Sequence, residues 1–272
     1  LSKKFFVFEK NKKYRNQIKK INKNIILINK LDKSIEEMNF VIIGTPMSEY
    51  KKIIPKLNIF LNHNALITDV GSTRRNVAKL IKEKLSKKLN WIMSHPISGS
   101  EVSGPQHGSK NLFKNKWCII IKDKNKNKLK KVINFWKKIG SKVILMNSKD
   151  HDKVFSITSH LPHLIAYNLI KTAQDFQKKD IKNIIQLSAG GLRDFSRIAA
   201  SNEIMWRDIF LNNKKNMILA INKFSKNLNS FKKNIQNLED KNLRKKLANS
   251  KKVRKQIIQL KQDIAKPDFG RE

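Results

Sequence analysis

The sequence is poor in cysteine (one), proline (six) and glycine (nine) over 272 residues, and poor in acid, with 21 Asp and Glu against 59 Lys and Arg. A single cysteine excludes a disulfide framework within the chain and fits a reducing compartment, so the chain is expected in the cytoplasm. Long hydrophobic runs are absent. The run 117–121, Trp-Cys-Ile-Ile-Ile, falls far short of the roughly 18 residues of a membrane-spanning helix. No secretory leader is visible. Arginine is scarce too, because nine of the cations are Arg and 50 are Lys, beside 30 Asn. Lys, Asn and Ile are the residues of AT-rich codons, so codon usage accounts for the bias. The resulting net charge of +38 is dispersed rather than gathered in a block. Salt-sensitive sticking to polyanions is expected from it, but no specific nucleic-acid site. With 39% hydrophobic residues the chain is too apolar to be disordered.

What is present is an alternation. Short apolar runs at 5–8, 25–28, 40–43, 65–70, 91–94, 117–121 and 142–146 have the composition of strands. The stretches 10–22, 48–60, 74–85 and 129–139 have helical spacing. Strands alternating with helices predict βαβ units and a mostly parallel sheet. From 151 onward only helical periodicity remains, over 154–176, 181–187, 204–224 and 228–264. The expected division is therefore an α/β domain over 1–148 and an all-helical domain over 149–272.

An α/β domain followed by helices suggests a Rossmann-type dinucleotide-binding dehydrogenase. That fold places a glycine-rich phosphate turn after its first strand and an acidic residue at the end of its second. No glycine precedes Gly44, whereas Glu9 closes the run 5–8. Leu1 is therefore expected to stand at strand two, with the first βα unit, roughly 30 residues, missing. Glu9 would accept hydrogen bonds from a ribose and favour NAD over NADP.

Four segments escape the Lys/Asn drift: Thr68-Asp69-Val70-Gly71-Ser72; residues 94–105, SHPISGSEVSGP; residues 158–164, TSHLPHL; and GGLRDFSRIA from Gly190, running on to Met205-Trp206-Arg207-Asp208. Together with the Thr45-Pro46 turn, they resemble in order and spacing the signature blocks of the prephenate dehydrogenase (TyrA) family, over about residues 5 to 260.

The resemblance implies an NAD-dependent oxidative decarboxylation of prephenate to 4-hydroxyphenylpyruvate in tyrosine biosynthesis. Arogenate, or both substrates, is the alternative. It implies His95 as general base, a residue type whose ordinary pKa suits that task. Ser72 would hydrogen-bond base and substrate; it also reads as a helix N-cap. Arg197 would bind a substrate carboxylate through its planar fork. His163 would face the substrate, with His160 supporting it, Glu101 near the mouth, Asp194 orienting a neighbour and Trp206 walling the site. Glu9, Thr45, Pro46 and Gly71 would line the cofactor. His160 and His163 share a helix face, yet two histidines without a third ligand make no metal site. The helical domain is expected to form a homodimer.

Three other readings have distinct signatures. A basic nucleic-acid-binding protein would cluster its cations with aromatics. An inactive relative would lose His95, Ser72 or Arg197. A 6-phosphogluconate-type dehydrogenase would place a lysine where TSHLPH stands.

Overall fold

The computed structural model describes residues 5–99, 102–179 and 183–262. Seven strands alternate with helices in the first part. They are β1 (Phe5–Phe8), β2 (Ile25–Ile28), β3 (Phe40–Ile43), β4 (Leu66–Asp69), β5 (Asn90–Pro96), β6 (Trp117–Ile121) and β7 (Lys142–Met146). The helices between them are α1 (Lys12–Ile21), α2 (Tyr50–Phe60), α3 (Arg75–Lys84) and α4 (Lys126–Lys138). Strands β3 to β7 form one sheet in that order, parallel except for the β5–β6 pair. Strands β1 and β2 form a separate parallel pair. In the doubly wound order 3-2-1-4-5-6, the first strand stands between the strands that correspond to β1 and β3. The break in the sheet falls there, and Phe5, Phe6, Phe40 and Ile42 are exposed on the two strands flanking it.

The core has two faces because side chains alternate along a strand. Ile67 and Trp91 pack with Tyr50, Ile54, Leu57 and Val77 on one side of the sheet. Their neighbours Leu66 and Ile92 pack with Ile120, Leu129, Val132 and Trp136 on the other. All of β4 is buried, as a central parallel strand covered on both faces must be. The cysteine, Cys118, is fully buried on β6, and burial pushes its thiol up to about 12, so it is an inert packing group.

The second part is helical: α5 (Ser148–Phe155), one turn of π-helix (Ser156–His160), α6 (Leu161–Lys179), α7 (Gly190–Ala199), α8 (Glu203–Asn212), α9 (Lys214–Gln236) and α10 (Asp240–Gln259). Pro162, the second residue of α6, directly follows the π-turn inside a continuous helical run, and that irregularity fits a residue with no N–H to give the preceding turn. The abundant asparagine finds a use at helix starts. Asn11, Asn125, Asn147 and Asn202 each accept a backbone N–H from the first turn of the helix that follows. Two helical expectations need correction. The stretch expected to be helical at 181–187 is a turn over 183–187, too short and too exposed to bury an apolar face. Conversely, Gly190–Ala199 is a helix despite its two leading glycines. Leu192, Phe195 and Ile198 recur on its half-buried face, and that packing outweighs the low propensity of glycine.

The two parts meet over a buried junction. Trp206 and Ile209 of α8 belong to the same apolar cluster as Ile43, Met47 and Tyr50. The Ser48 N–H donates to Asp208 at 2.9 Å, and the Arg74 N–H donates to the Asp152 carboxylate at 2.7 Å. No described helix is long and apolar enough to cross a membrane.

Candidate active site

The C-terminal ends of β3, β4 and β5 bring together Gly44-Thr45-Pro46, Gly71-Ser72 and His95, and α5 with its π-turn lies against them. In open α/β sheets this edge is where ligands bind.

The floor is a buried ion pair. Arg74 Nη1 and Nη2 lie 3.0 and 2.8 Å from the two Asp69 carboxylate oxygens, both side chains wholly buried. Asp69 also accepts from Tyr50 Oη at 2.9 Å, Trp91 Nε1 at 3.1 Å and the Gly71 N–H at 3.1 Å. Arg74 donates onward to the carbonyls of Thr73 and Ser94. Burial alone would lower the Arg74 pKa, but the Asp69 carboxylate overrules it and the net shift is upward. Burial, then the Asp69 charge, pushes the Tyr50 phenol well above 10. Such a pair is tolerated because most of its donors and acceptors are met; Arg74 Nη2 has the ion-pair contact to Asp69 but no hydrogen bond. Gly71 is required by it, since a Cβ there would stand 2.2 Å from Arg74 Nη2.

This floor fixes the strand that carries His95. Ser94 gives its carbonyl to Arg74, donates its hydroxyl to the Asp69 carbonyl at 2.7 Å, and accepts from Trp136 Nε1 at 3.0 Å. His95 is 8% exposed, its ring edge-on to Phe155. Its Nδ1 lies 2.8 Å from Nε2 of His151, and His151 Nδ1 lies 2.9 Å from Asp152 Oδ1. Asp152 accepts the N–H groups of Arg74 at 2.7 Å and Arg75 at 2.9 Å, which open α3. It is thus a carboxylate of α5 that caps α3, and Ser72 is not the cap. Burial, then the neighbouring His151 and Arg74, holds His95 well below the usual histidine value. His151 is also lowered by burial, against the opposing pull of Asp152.

His160 lies behind the β4–α3 turn, with Nδ1 3.2 Å from Asn213 Nδ2, and burial drives it down to about 4. His163, one turn on, hydrogen-bonds the Ser159 carbonyl through Nδ1 at 2.9 Å and stacks on Trp206 at 3.7 Å between centroids. Trp206 is 5% exposed and its Nε1 has no partner within the protein. Thus His95, Ser72, His160, His163 and Trp206 belong to one junction. Arg197 and Asp194 lie on the exposed face of α7. Glu101 falls outside the described residues.

At the cofactor edge, Glu9 follows β1, is half-buried, and takes the Asn11 N–H on Oε1 at 2.7 Å. Thr45 Oγ1 is buried without a partner in the protein, and open space faces Gly44. His151, Asp152, Arg74 and Asp69 are the residues the motifs did not bring out. The one signal for the first two was a His-Asp pair at the change of composition near 147–151.

A mostly parallel α/β part with its site at the strand ends, closed by a helical part, defines a nucleotide-binding enzyme of two domains. The chain belongs to the prephenate dehydrogenase family. The family's nucleotide-binding domain matches residues 7–145 and its dimerization domain residues 147–249. Among curated relatives, the cyclohexadienyl dehydrogenase of Zymomonas mobilis is 28% identical over 250 residues, 91% of this chain and 85% of that protein. The prephenate dehydrogenase of Lactococcus lactis is 30% identical over 226 residues, 82% of this chain but 62% of that protein. The crystal structure of prephenate dehydrogenase from Aquifex aeolicus, in complex with hydroxyphenyl propionate and NAD+, superposes with a TM-score of 0.86 at 32% identity. The match covers 93% of this chain and 89% of that one.

Proposed function

We propose that the protein catalyses the NAD-dependent oxidative decarboxylation of prephenate to 4-hydroxyphenylpyruvate, in the cytoplasm, as a homodimer. The observation that carries this reading is His95, buried at the end of β5 with its Nδ1 side held by His151, in a chain whose two parts both match the family. Residues 1–148 form the cofactor domain and 149–272 the substrate and dimerisation domain.

Bound NAD would accept the hydride from the ring carbinol carbon. The residues at the strand ends fit such a group. Thr45 Oγ1 lacks a partner, Gly44 leaves space beside it, and Glu9 closes β1 where a ribose is met. Pro46 and Gly71 complete that edge. His95 takes the hydroxyl proton as the hydride departs. The ring carboxylate then leaves as carbon dioxide, its bonding pair makes the ring aromatic, and the phenolic oxygen regains a proton. Ser72 positions the hydroxyl beside His95. Arg197 binds a substrate carboxylate from the exposed face of α7, His163 faces the substrate with His160 supporting it, Trp206 walls the site, Asp194 orients a neighbour, and Glu101 stands near the mouth. A neutral His95 suits a base, since its low proton affinity keeps it unprotonated at neutral pH.

Arogenate is the second substrate, favoured by the likeness to a cyclohexadienyl dehydrogenase. Parallel measurement of NADH and carbon dioxide, with prephenate and then arogenate, tests the reading. Equal yields of both products are expected with at least one substrate. A folded, NAD-binding protein that turns over neither would overturn it.

A further inference from the structure

We propose that His151 and Asp152 form a positioning pair that fixes the tautomer of His95, leaving its Nε2 as the proton acceptor. The inference rests on the reading of His95 as the base and extends it to two residues outside the motif blocks.

The argument is one of donors and acceptors. A carboxylate only accepts. Asp152 Oδ1 takes the Arg74 N–H at 2.7 Å and lies 2.9 Å from His151 Nδ1, so His151 must donate there. Asp152 Oδ2 takes the Arg75 N–H at 2.9 Å, which pins the carboxylate in that orientation. His151 is wholly buried and held neutral, so it carries one proton, on Nδ1. Its Nε2 is then a lone pair, and the contact of 2.8 Å to His95 Nδ1 closes only if His95 donates. A neutral His95 with its proton on Nδ1 has a lone pair on Nε2, the nitrogen a base needs. The charged and titratable groups facing His95 are His151, Arg74 and His160, and none of them offers its Nδ1 a competing acceptor. When His95 gains the substrate proton, the imidazolium still donates to His151, and the Asp152 carboxylate two links away balances the charge. Because Asp152 also caps α3, the same carboxylate ties the orientation of the base to the contact between the two parts of the chain.

Asp152→Asn separates this from a structural role. An amide with its oxygen on the Arg75 N–H offers its NH2 to His151; with its oxygen on the Arg74 N–H it would still accept from His151 and keep the wild-type order. In the first turn the proton order along the chain reverses, and His95 presents Nε2–H to the substrate. The same logic holds wherever an amide replaces the carboxylate behind a catalytic histidine. Long-range proton–nitrogen NMR of the full chain, with His95 assigned by its loss in His95→Asn, reads the tautomer without any turnover. We expect Nδ1–H in the wild type. Where Asp152→Asn shows Nε2–H, we expect kcat to fall at least 100-fold while KM for prephenate stays within threefold. Nε2–H on His95 in the wild type, or kcat within threefold in an Asp152→Asn that shows Nε2–H, overturns the proposal. If Asp152→Asn fails to fold or keeps Nδ1–H, His151→Gln and His151→Leu decide. Gln can still accept from His95 and should stay within tenfold of wild type, whereas Leu should lose 100-fold or more. Equal losses in both overturn it. A wild type that turns over neither prephenate nor arogenate would sink the proposed reaction, while the NMR result would still decide the tautomer.

Discussion

At the residue scale, the site is a set of histidines kept neutral by burial. A histidine whose pKa is lowered on folding binds fewer protons than in the unfolded chain, so stability is lost as pH falls below about 6.5. For His160 the loss continues down to about 4 and amounts to roughly 3 kcal/mol. His95 and His151 shift in the same direction and add to it. Urea unfolding between pH 8 and pH 4.5 should show a steep decline beginning near 6.5, softened in His160→Gln. A flat profile would mean that these rings are hydrated. The acid limb of kcat/KM should likewise lie below 6.5, because His95 is held below the ordinary value. The Asp69–Arg74 pair acts differently. It fixes Ser94, and through the backbone His95, at a cost in desolvation that its hydrogen-bond partners offset.

At the element scale, capping and packing set which segments are helical. Replacing Asn202, which caps α8 through the Met205 N–H at 2.9 Å, by Ala should lower stability by about 1 kcal/mol without changing KM. A loss of turnover there would mean that α8, with Trp206, is held by its cap rather than by the core. Most elements were legible because their apolar runs are interrupted by polar Lys/Asn stretches. Every strand expected before 147 is present within a few residues. Helix α7 was not legible as a helix, since its leading glycines conceal a half-buried face visible only against α6. The motif blocks pointed to His95, His160 and Trp206, which the fold does bring to one junction. His151 and Asp152 were not legible because their meaning lies in partners 56 and 78 residues away. The π-turn Ser156–His160 was equally hidden, and it falls on the TSHLPH block, as such irregularities often do at functional sites.

At the scale of the whole molecule, helices α7 and α10 have no fully buried residue, and Leu211, Ile218, Leu219, Leu228 and Ile235 are exposed on α8 and α9. The match to a family dimerization domain over residues 147–249 makes a second copy of the chain the proposed occupant of these faces. Sedimentation at micromolar concentration should find a dimer, and Leu219→Asp should shift it toward monomer; a monomeric wild type would refute the assembly. The dispersed charge of +38 adds general attraction for anionic ligands, without a patch to define a site. The central claim is that His95 is the base of a prephenate dehydrogenase. The most direct measurement is kcat/KM for NADH formation from prephenate at neutral pH, wild type against His95→Asn. A fall of about 10²- to 10⁴-fold with NAD binding retained is the expected result. A mutant as active as the wild type would contradict the account.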